Sequence, residues 1–170
     1  IVPFAQYARN AFIGKKWLNS FLNNKIINKK KYDLILNSLD TITSTYLKLS
    51  KSKNKKDISI FNNLFYHLRP GTYDISVKRQ NNKILPRKID ELELILNFTQ
   101  KINNFLNKNE IKKIDFLLKK NKLDINTYQL INYIIVSIKL RENSKFIFTR
   151  SLSDVLEIIK IYIKEKKIKL

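Results

Sequence analysis

The residues best able to do chemistry are concentrated in one short string, residues 66–75 (Tyr-His-Leu-Arg-Pro-Gly-Thr-Tyr-Asp-Ile), which holds the only histidine and one of only two glycines. Its Pro-Gly pair predicts a tight turn with exposed backbone amides, because proline fixes one dihedral angle and glycine accepts a positive one. The guanidinium groups of Arg69 and Arg79 suit a carboxylate or phosphoryl group, and the carboxylate of Asp74 suits an ammonium group. The string therefore predicts an anion or zwitterion site. The alternative is a structural loop in which Asp74 pairs with a neighbouring lysine or arginine.

Several classes of site are excluded by composition. The absence of cysteine removes disulfides, thiolate metal ligands and cysteine nucleophiles, and a single histidine removes every two-histidine metal motif. The sequence contains no glycine-rich phosphate loop and no nucleophile elbow. No two carboxylates stand out as a general acid and base. His67 has no catalytic partner at a recognised spacing, and the alternative is that it is a structural residue at a helix end. We therefore predict no catalytic residue and no metal ligand in this chain.

The net charge of +20 is the strongest compositional signal, and it is typical of nucleic-acid-binding or membrane-surface proteins. However, the chain holds 28 Lys, 26 Ile and 20 Asn against 6 Arg, which is the pattern of AT-rich codons. The basic runs at residues 29–31, 51–56 and 164–169 lack interleaved aromatic residues and read as solvated surface. A basic helical module that binds nucleic acid or an acidic partner remains the alternative, although nucleic acid is not favoured.

The elements that must position these residues are helical. The fold class predicted is mainly α: a compact helical bundle interrupted by one Pro-Gly loop, residues 69–86, in which Tyr73, Ile75 and Val77 alternate as in a short strand. Predicted helices cover residues 3–22, 29–49, 57–68, 88–106 and 109–120, then run from an Asn126 cap to about Phe148, with a final helix that opens at Ser151 or Ser153. Asp57 is the predicted cap of the third helix. In the final helix the pattern assigns to the core Leu152, Val155, Leu156, Ile159 and Ile163.

Three segments of the chain resemble the central domain of the phosphoenolpyruvate-synthase-like (pyruvate phosphate dikinase-like) superfamily. They are residues 67–76 with Arg79, residues 8–13 with 17–20, and residues 141–146 with 148–154. The loop is more distantly similar to the Arg-Gly-Pro-Gly-Glu-Ile-Asp loop of rifampin phosphotransferases. Among the families of this superfamily, the segments are most similar to the L-glutamine kinases of bacterial capsule phosphoramidate synthesis. Together they span nearly the whole chain in the order that the family has them.

The resemblance implies a single central, acceptor-binding domain over residues 1–170, part of a larger multidomain enzyme. Such enzymes add an ATP-grasp domain and a swivelling domain with a phosphorylated histidine, and they convert ATP to AMP and phosphate while phosphorylating an acceptor. The implied acceptor is the side-chain amide of L-glutamine or a similar small molecule. ATP and Mg²⁺ would bind the other domains, so the segment alone would hold no cofactor and be inactive. The implied substrate-binding residues are Arg69, Asp74 and Arg79, with Arg9, His67, Tyr73, Arg141, Glu142 and Arg150 beside them.

Two further functions stay open at this point. The first is a superfamily member with another acceptor, of the phosphoenolpyruvate-synthase or antibiotic-phosphotransferase type. The second is a structural linker domain, which we expect if the loop arginines are buried in internal ion pairs with no cavity beside them. No secretory signal is recognisable, and the longest apolar stretch, residues 131–140, is too short to span a membrane. We therefore predict a cytoplasmic protein without a membrane partner.

Overall fold

The computed structural model describes residues 2–37, 39–71, 74–79 and 105–167. Within these ranges the chain forms six helices and no strand: α1 (Val2–Asn23), α2 (Lys29–Asn37), α3 (Ile42–Ser50), α4 (Lys55–Phe65), α5 (Lys108–Lys120) and α6 (Thr127–Glu165). The mainly α fold class is thereby confirmed. Residues 69–71 and 74–79 form turns and bends, so the loop has no strand where it is described. The predicted helix over 88–106 lies outside the described residues except for its last two, which are not helical.

The predicted helix over residues 29–49 is wrong, because the chain forms two helices there. Thr41 starts the second of them with a reciprocal cap: its hydroxyl accepts from the Ser44 backbone N–H at 3.4 Å, and the Ser44 hydroxyl accepts from the Thr41 N–H at 3.0 Å. This capping box satisfies backbone donors that have no partner inside a helix. A local polar motif therefore outweighs the apolar repeat that runs through the break.

Helix α4 is capped by Asn54, not by Asp57 as the sequence pattern predicted. The Asn54 side-chain oxygen accepts from the Lys56 N–H at 2.9 Å, whereas the Asp57 carboxylate accepts from the Ser52 hydroxyl at 2.6 Å. The helix begins two residues earlier than expected and ends at Phe65, before the predicted end at Leu68. Asp57 lies in the first turn of the helix, where a negative charge interacts favourably with the helix dipole.

Helix α6 is continuous over 39 residues, so the predicted break at Ser151 or Ser153 is wrong. Its predicted cap is confirmed, since the Asn126 side chain accepts from the Gln129 N–H and the Gln129 side chain accepts from the Asn126 N–H, both at 2.9 Å. The Ser151 hydroxyl donates to the Ile147 carbonyl within the helix at 3.1 Å. Serine is thus accommodated inside the helix without interrupting the backbone hydrogen bonds.

The first of two compact units comprises residues 1–40 and 97–142. Its core is formed by side chains of α1, α2, α5 and the first part of α6, including the fully buried Leu18, Ile35, Ile114 and Ile131. Gly14 permits a close approach within this unit: a Cβ atom there would lie 2.9 Å from the Ser137 hydroxyl oxygen and 3.3 Å from the Ile134 Cα atom.

The second unit comprises residues 41–96 and 143–170. Its core contains Ile42, Leu64, Phe65 and Phe146, and the ring of Phe65 packs edge-on against those of Phe146 and Tyr46. The candidate loop follows directly from this core, because Tyr66 is the first residue after α4. The prediction of one central domain over residues 1–170 stays a prediction. Among the described helices, none is both long and apolar enough to cross a membrane.

Candidate functional site

The candidate loop turns at Gly71, which has a φ angle of +65°. A side chain at this angle is strained, so glycine is favoured here. The backbone N–H of Asp74 donates to the Gly71 carbonyl at 2.8 Å and closes the turn. The Pro-Gly turn predicted from the sequence is thereby formed, and it leaves Pro70, Gly71 and Asp74 exposed.

Arg69 is buried and connects the loop to α6. One guanidinium nitrogen donates to the Glu157 carboxylate at 3.0 Å and to the Ser153 hydroxyl at 3.2 Å, and the other donates to the backbone carbonyls of Asp74 at 3.1 Å and Val77 at 3.3 Å. Only 1% of its side chain is exposed. The planar fork of arginine supplies donors in both directions, so this residue holds the loop in place.

Arg79 repeats this role at the other end of the loop. Its side chain is completely buried and donates to the Asp154 carboxylate at 2.8 Å. The Tyr66 hydroxyl donates to the same carboxylate, with 3.2 Å to each oxygen, and accepts from Nε of Arg150 at 3.1 Å. The guanidinium groups of Arg150 and Arg79 lie 4.9 Å and 5.3 Å from the centre of the Tyr66 ring, within range of cation–π attraction.

His67 lies beneath the loop with 2% of its surface exposed. Its ring packs 4.7 Å from that of Phe146, and neither ring nitrogen has a well-aligned hydrogen-bond partner. Burial lowers the pKa of His67 to about 4, aided by the positive charge of Arg150; the Asp154 carboxylate acts in the opposite direction and is outweighed. The imidazole is therefore neutral at pH 7 and contributes no charge to a ligand.

Asp74 is the acidic residue among the described residues of the loop, and it faces solvent, as does Lys78. Its carboxylate accepts from the Ser76 hydroxyl at 2.7 Å and from the Ser76 N–H at 2.8 Å. These two hydrogen bonds, led by the hydroxyl, lower the pKa of the Asp74 carboxyl below its ordinary value. The result is a fixed, ionised carboxylate at the tip of the loop, which is the chemistry that an ammonium group requires.

The remaining predicted residues divide between the units. Arg150 belongs to the second unit with His67, Arg69, Asp74 and Arg79, whereas Arg9, Arg141 and Glu142 belong to the first. There Arg141 pairs with Glu142 at 2.7 Å, its guanidinium lies 5.8 Å from the Phe12 ring, and Arg9 is exposed on α1. Tyr73 lies outside the described residues.

A comparison with protein-family models, with curated proteins and with solved structures finds no match for this chain. The described residues also contain no group of three or more histidine, aspartate or glutamate side chains that is placed to hold a metal ion.

The sequence analysis named Arg150 but missed the other polar residues on the face of α6 that receives the loop. Ser153, Asp154 and Glu157 follow Arg150 by three, four and seven residues, and all four contact the loop or its first residue, Tyr66. The spacing of these residues carries the signal, because polar side chains at i, i+3, i+4 and i+7 share one helix face.

Burial on this part of α6 departs from the predicted pattern, although Leu152, Leu156 and Ile163 are half-buried. Val155 and Ile159, assigned to the core from the sequence, are 50% and 41% exposed, whereas Ser153 and Glu157 are buried. The two buried arginines explain the departure, because a buried guanidinium needs carboxylate and hydroxyl partners on the face it contacts.

Proposed function

We propose that this chain is the acceptor-binding, helical domain of a multidomain, cytoplasmic phosphohistidine-dependent kinase that converts ATP to AMP and phosphate, and that its acceptor is L-glutamine or a similar small zwitterion. ATP and Mg²⁺ bind the other domains of that enzyme. The proposal rests on the resemblance of three separate segments to the phosphoenolpyruvate-synthase-like superfamily. The structural observation that best supports the proposal is the packing of two of those segments against each other.

The loop segment and the C-terminal segment, which resemble the family independently in sequence, pack against each other in the second unit. His67 contacts Phe146, Arg69 contacts Ser153, and Arg79 pairs with Asp154. Four of the residues that the resemblance implies to act together therefore belong to one connected cluster of the second unit: His67, Arg69, Arg79 and Arg150. This cluster gives the exposed turn a rigid base, which a binding loop needs in order to present its ligand groups without a large ordering cost.

Within the proposed site the loop residues have different tasks. Asp74 is exposed and ionised, so it takes the ammonium group of the acceptor. Arg69 and Arg79 already pair with Glu157 and Asp154 and therefore act as positioning residues.

The test is calorimetric titration of the chain with L-glutamine, alongside L-glutamate, pyruvate and a short nucleic acid. We expect saturable binding of glutamine, weakened about tenfold or more by Asp74→Asn, because a charge-assisted contact is worth about 1.5–3 kcal/mol. Asparagine keeps the acceptor oxygen for Ser76 and removes only the charge. Asp124→Asn, at an exposed carboxylate of the first unit, is the matched control and should leave binding unchanged.

Equal glutamine affinity in Asp74→Asn and the parent chain contradicts the role of Asp74. The absence of binding to every small ligand contradicts the proposal. If the chain instead binds nucleic acid in a salt-sensitive way, and charge reversal across residues 51–56 abolishes that binding, the basic-module function is the better one.

A structural linker domain is the second candidate, and the burial of Arg69 and Arg79 in internal ion pairs favours it. The two candidates differ in what Arg69→Ala does. A binding domain loses both stability and glutamine affinity, whereas a linker loses stability alone and never binds the amino acid. Measuring urea unfolding and calorimetric binding on the same variant separates them.

A further inference from the structure

Four large apolar side chains form an exposed row on α6, which we call the α6 stripe. It consists of Val155, Ile158, Ile159 and Tyr162, exposed by 50%, 55%, 41% and 55%. Their spacing of three, four and seven residues places them on one side of the helix. Isolated exposed apolar residues are ordinary, but a contiguous row of them on one helix face marks an interaction surface.

The α6 stripe does not belong to the core of the second unit. The buried side of the same helix segment is occupied by Ser153 and Glu157, which contact His67 and Arg69 of the loop. A helix cannot turn both faces to the same core, and among the described residues the apolar face stays exposed. The C-terminal part of α6 therefore has one polar side engaged within the unit and one apolar side exposed.

The charges beyond the α6 stripe indicate what kind of partner fits. Lys164, Lys166 and Lys167 are exposed, and Lys166 follows Tyr162 by four residues, so it continues the same side of the helix. Glu165 is the one acidic side chain among residues 158–167. A partner that covers the stripe therefore meets a positive end formed by Lys166 and the adjoining Lys167, which attract acidic residues.

Two other occupants fit less well. A second copy of the chain would bring like-charged lysine ends and two net charges of +20 together, which opposes association. A membrane-surface helix carries cations along both flanks of its apolar face, whereas the exposed cations here gather at its C-terminal end.

We propose that the α6 stripe docks an amphipathic helix of a partner protein, with apolar side chains over the stripe and acidic residues against Lys166 and Lys167. This is helix-on-helix recognition, in which apolar residues at i, i+3, i+4 and i+7 supply the contact area and flanking charges set orientation. The inference does not depend on the proposed kinase function, since it uses the side of α6 away from the loop.

The probe is a synthetic helical peptide about three heptads long, with leucine at the stripe-facing positions and glutamate beside them; a peptide of the same composition in scrambled order is the control. We expect the patterned peptide alone to bind, measured by fluorescence anisotropy. The double variant Ile158→Ser with Tyr162→Ser should weaken binding about tenfold or more. The double variant Lys166→Glu with Lys167→Glu should also weaken peptide binding, and the loss of affinity should be larger at low salt than at high salt.

Phe116→Ser is the matched control, because Phe116 is 67% exposed on α5 in the first unit; it should bind the peptide as the parent chain does. Since every substituted residue is exposed, circular dichroism should show the same helix content in all variants. No binding, or equal binding of the scrambled peptide, overturns the proposal. Stripe-dependent dimerisation in sedimentation equilibrium, or stripe-dependent binding to phosphatidylglycerol vesicles without peptide binding, also overturns it and assigns the stripe to a second copy or a membrane.

Discussion

Arg69 reaches oxygen atoms on both the loop and α6, and this is what a lysine in its place cannot do. Its two terminal nitrogens contact Glu157 and Ser153 on the helix and the carbonyls of Asp74 and Val77 on the loop. A lysine presents a single ammonium group at the end of a flexible chain. The chain is rich in lysine, yet arginine stands at this position, where its planar fork has partners on two elements.

His67 makes the stability of the second unit depend on pH. Its pKa is about 4 in the folded chain against an ordinary 6.5, so the unfolded chain binds a proton between these values that the folded chain rejects. The contribution of His67 to the free energy of unfolding is therefore fully present above about pH 6.5. It is lost as the pH falls toward 4, and the loss is at most roughly 3 kcal/mol. Urea unfolding at pH 7 and pH 4.5 measures this loss.

The control for this pH effect is His67→Leu, which replaces the ring by an apolar group of similar size that cannot titrate. Other carboxylates titrate in the same range, so the comparison between the two chains is the measured quantity. The advantage of the parent over the variant should shrink as the pH falls. An advantage that stays constant between pH 7 and pH 4.5 contradicts a buried, neutral imidazole.

At the scale of elements, apolar periodicity predicted where helices occur and failed at their ends and faces. It located α1, α5 and the start of α6, because these have strong repeats and a recognisable cap. It missed the break at Thr41, because a capping box needs only two polar side chains and leaves the apolar repeat around it intact. It inverted the exposed face near Val155, because which face is buried depends on two arginines far away in the sequence, and no local pattern contains that pairing.

The same limit applies to the candidate site. The glycine turn and the group of charged residues were predictable, because their residue types restrict backbone conformation and chemistry locally. The pairing of Arg69 with Glu157 and of Arg79 with Asp154 was not, because each partner lies on another element. Long-range partners decide whether an arginine is exposed to a ligand or engaged within the chain.

Helix α1 offers a test of close packing at Gly14. Alanine is a better helix former than glycine by about 1 kcal/mol, so propensity alone predicts that Gly14→Ala stabilises the chain. The added Cβ atom would instead lie 2.9 Å from the Ser137 hydroxyl oxygen and 3.3 Å from the Ile134 Cα atom. We expect a net loss of about 1–3 kcal/mol in the free energy of unfolding, measured in urea. Adding Ser137→Ala should recover part of it; a stabilised single variant would show that the helices move apart at no cost.

At the scale of the whole molecule, the net charge of +20 is spread over exposed lysines, whereas the ion pairs of Arg69 and Arg79 are buried. Salt screens exposed charges far more than buried ones. Self-repulsion among the lysines therefore weakens with added salt while the internal pairs keep their strength.

We accordingly expect the melting temperature to rise between low and moderate sodium chloride. A gain on the order of 1 kcal/mol corresponds to a rise of about 2–4 °C for a chain of this size. Differential scanning calorimetry at constant pH measures it. A melting temperature that falls with salt would mean that attractive surface pairs outweigh the repulsion.

The first unit is assembled from two stretches of chain, residues 1–40 and 97–142. Its core side chains Leu18 and Phe21 are covered in part by Ile114 and Ile131, which come from the second stretch. A ribosome adds about 5–20 residues per second, so the intervening residues take seconds to emerge. During that delay the nascent α1 and α2 carry an uncovered apolar face, and this exposed face is what a chaperone would bind while the chain is still on the ribosome.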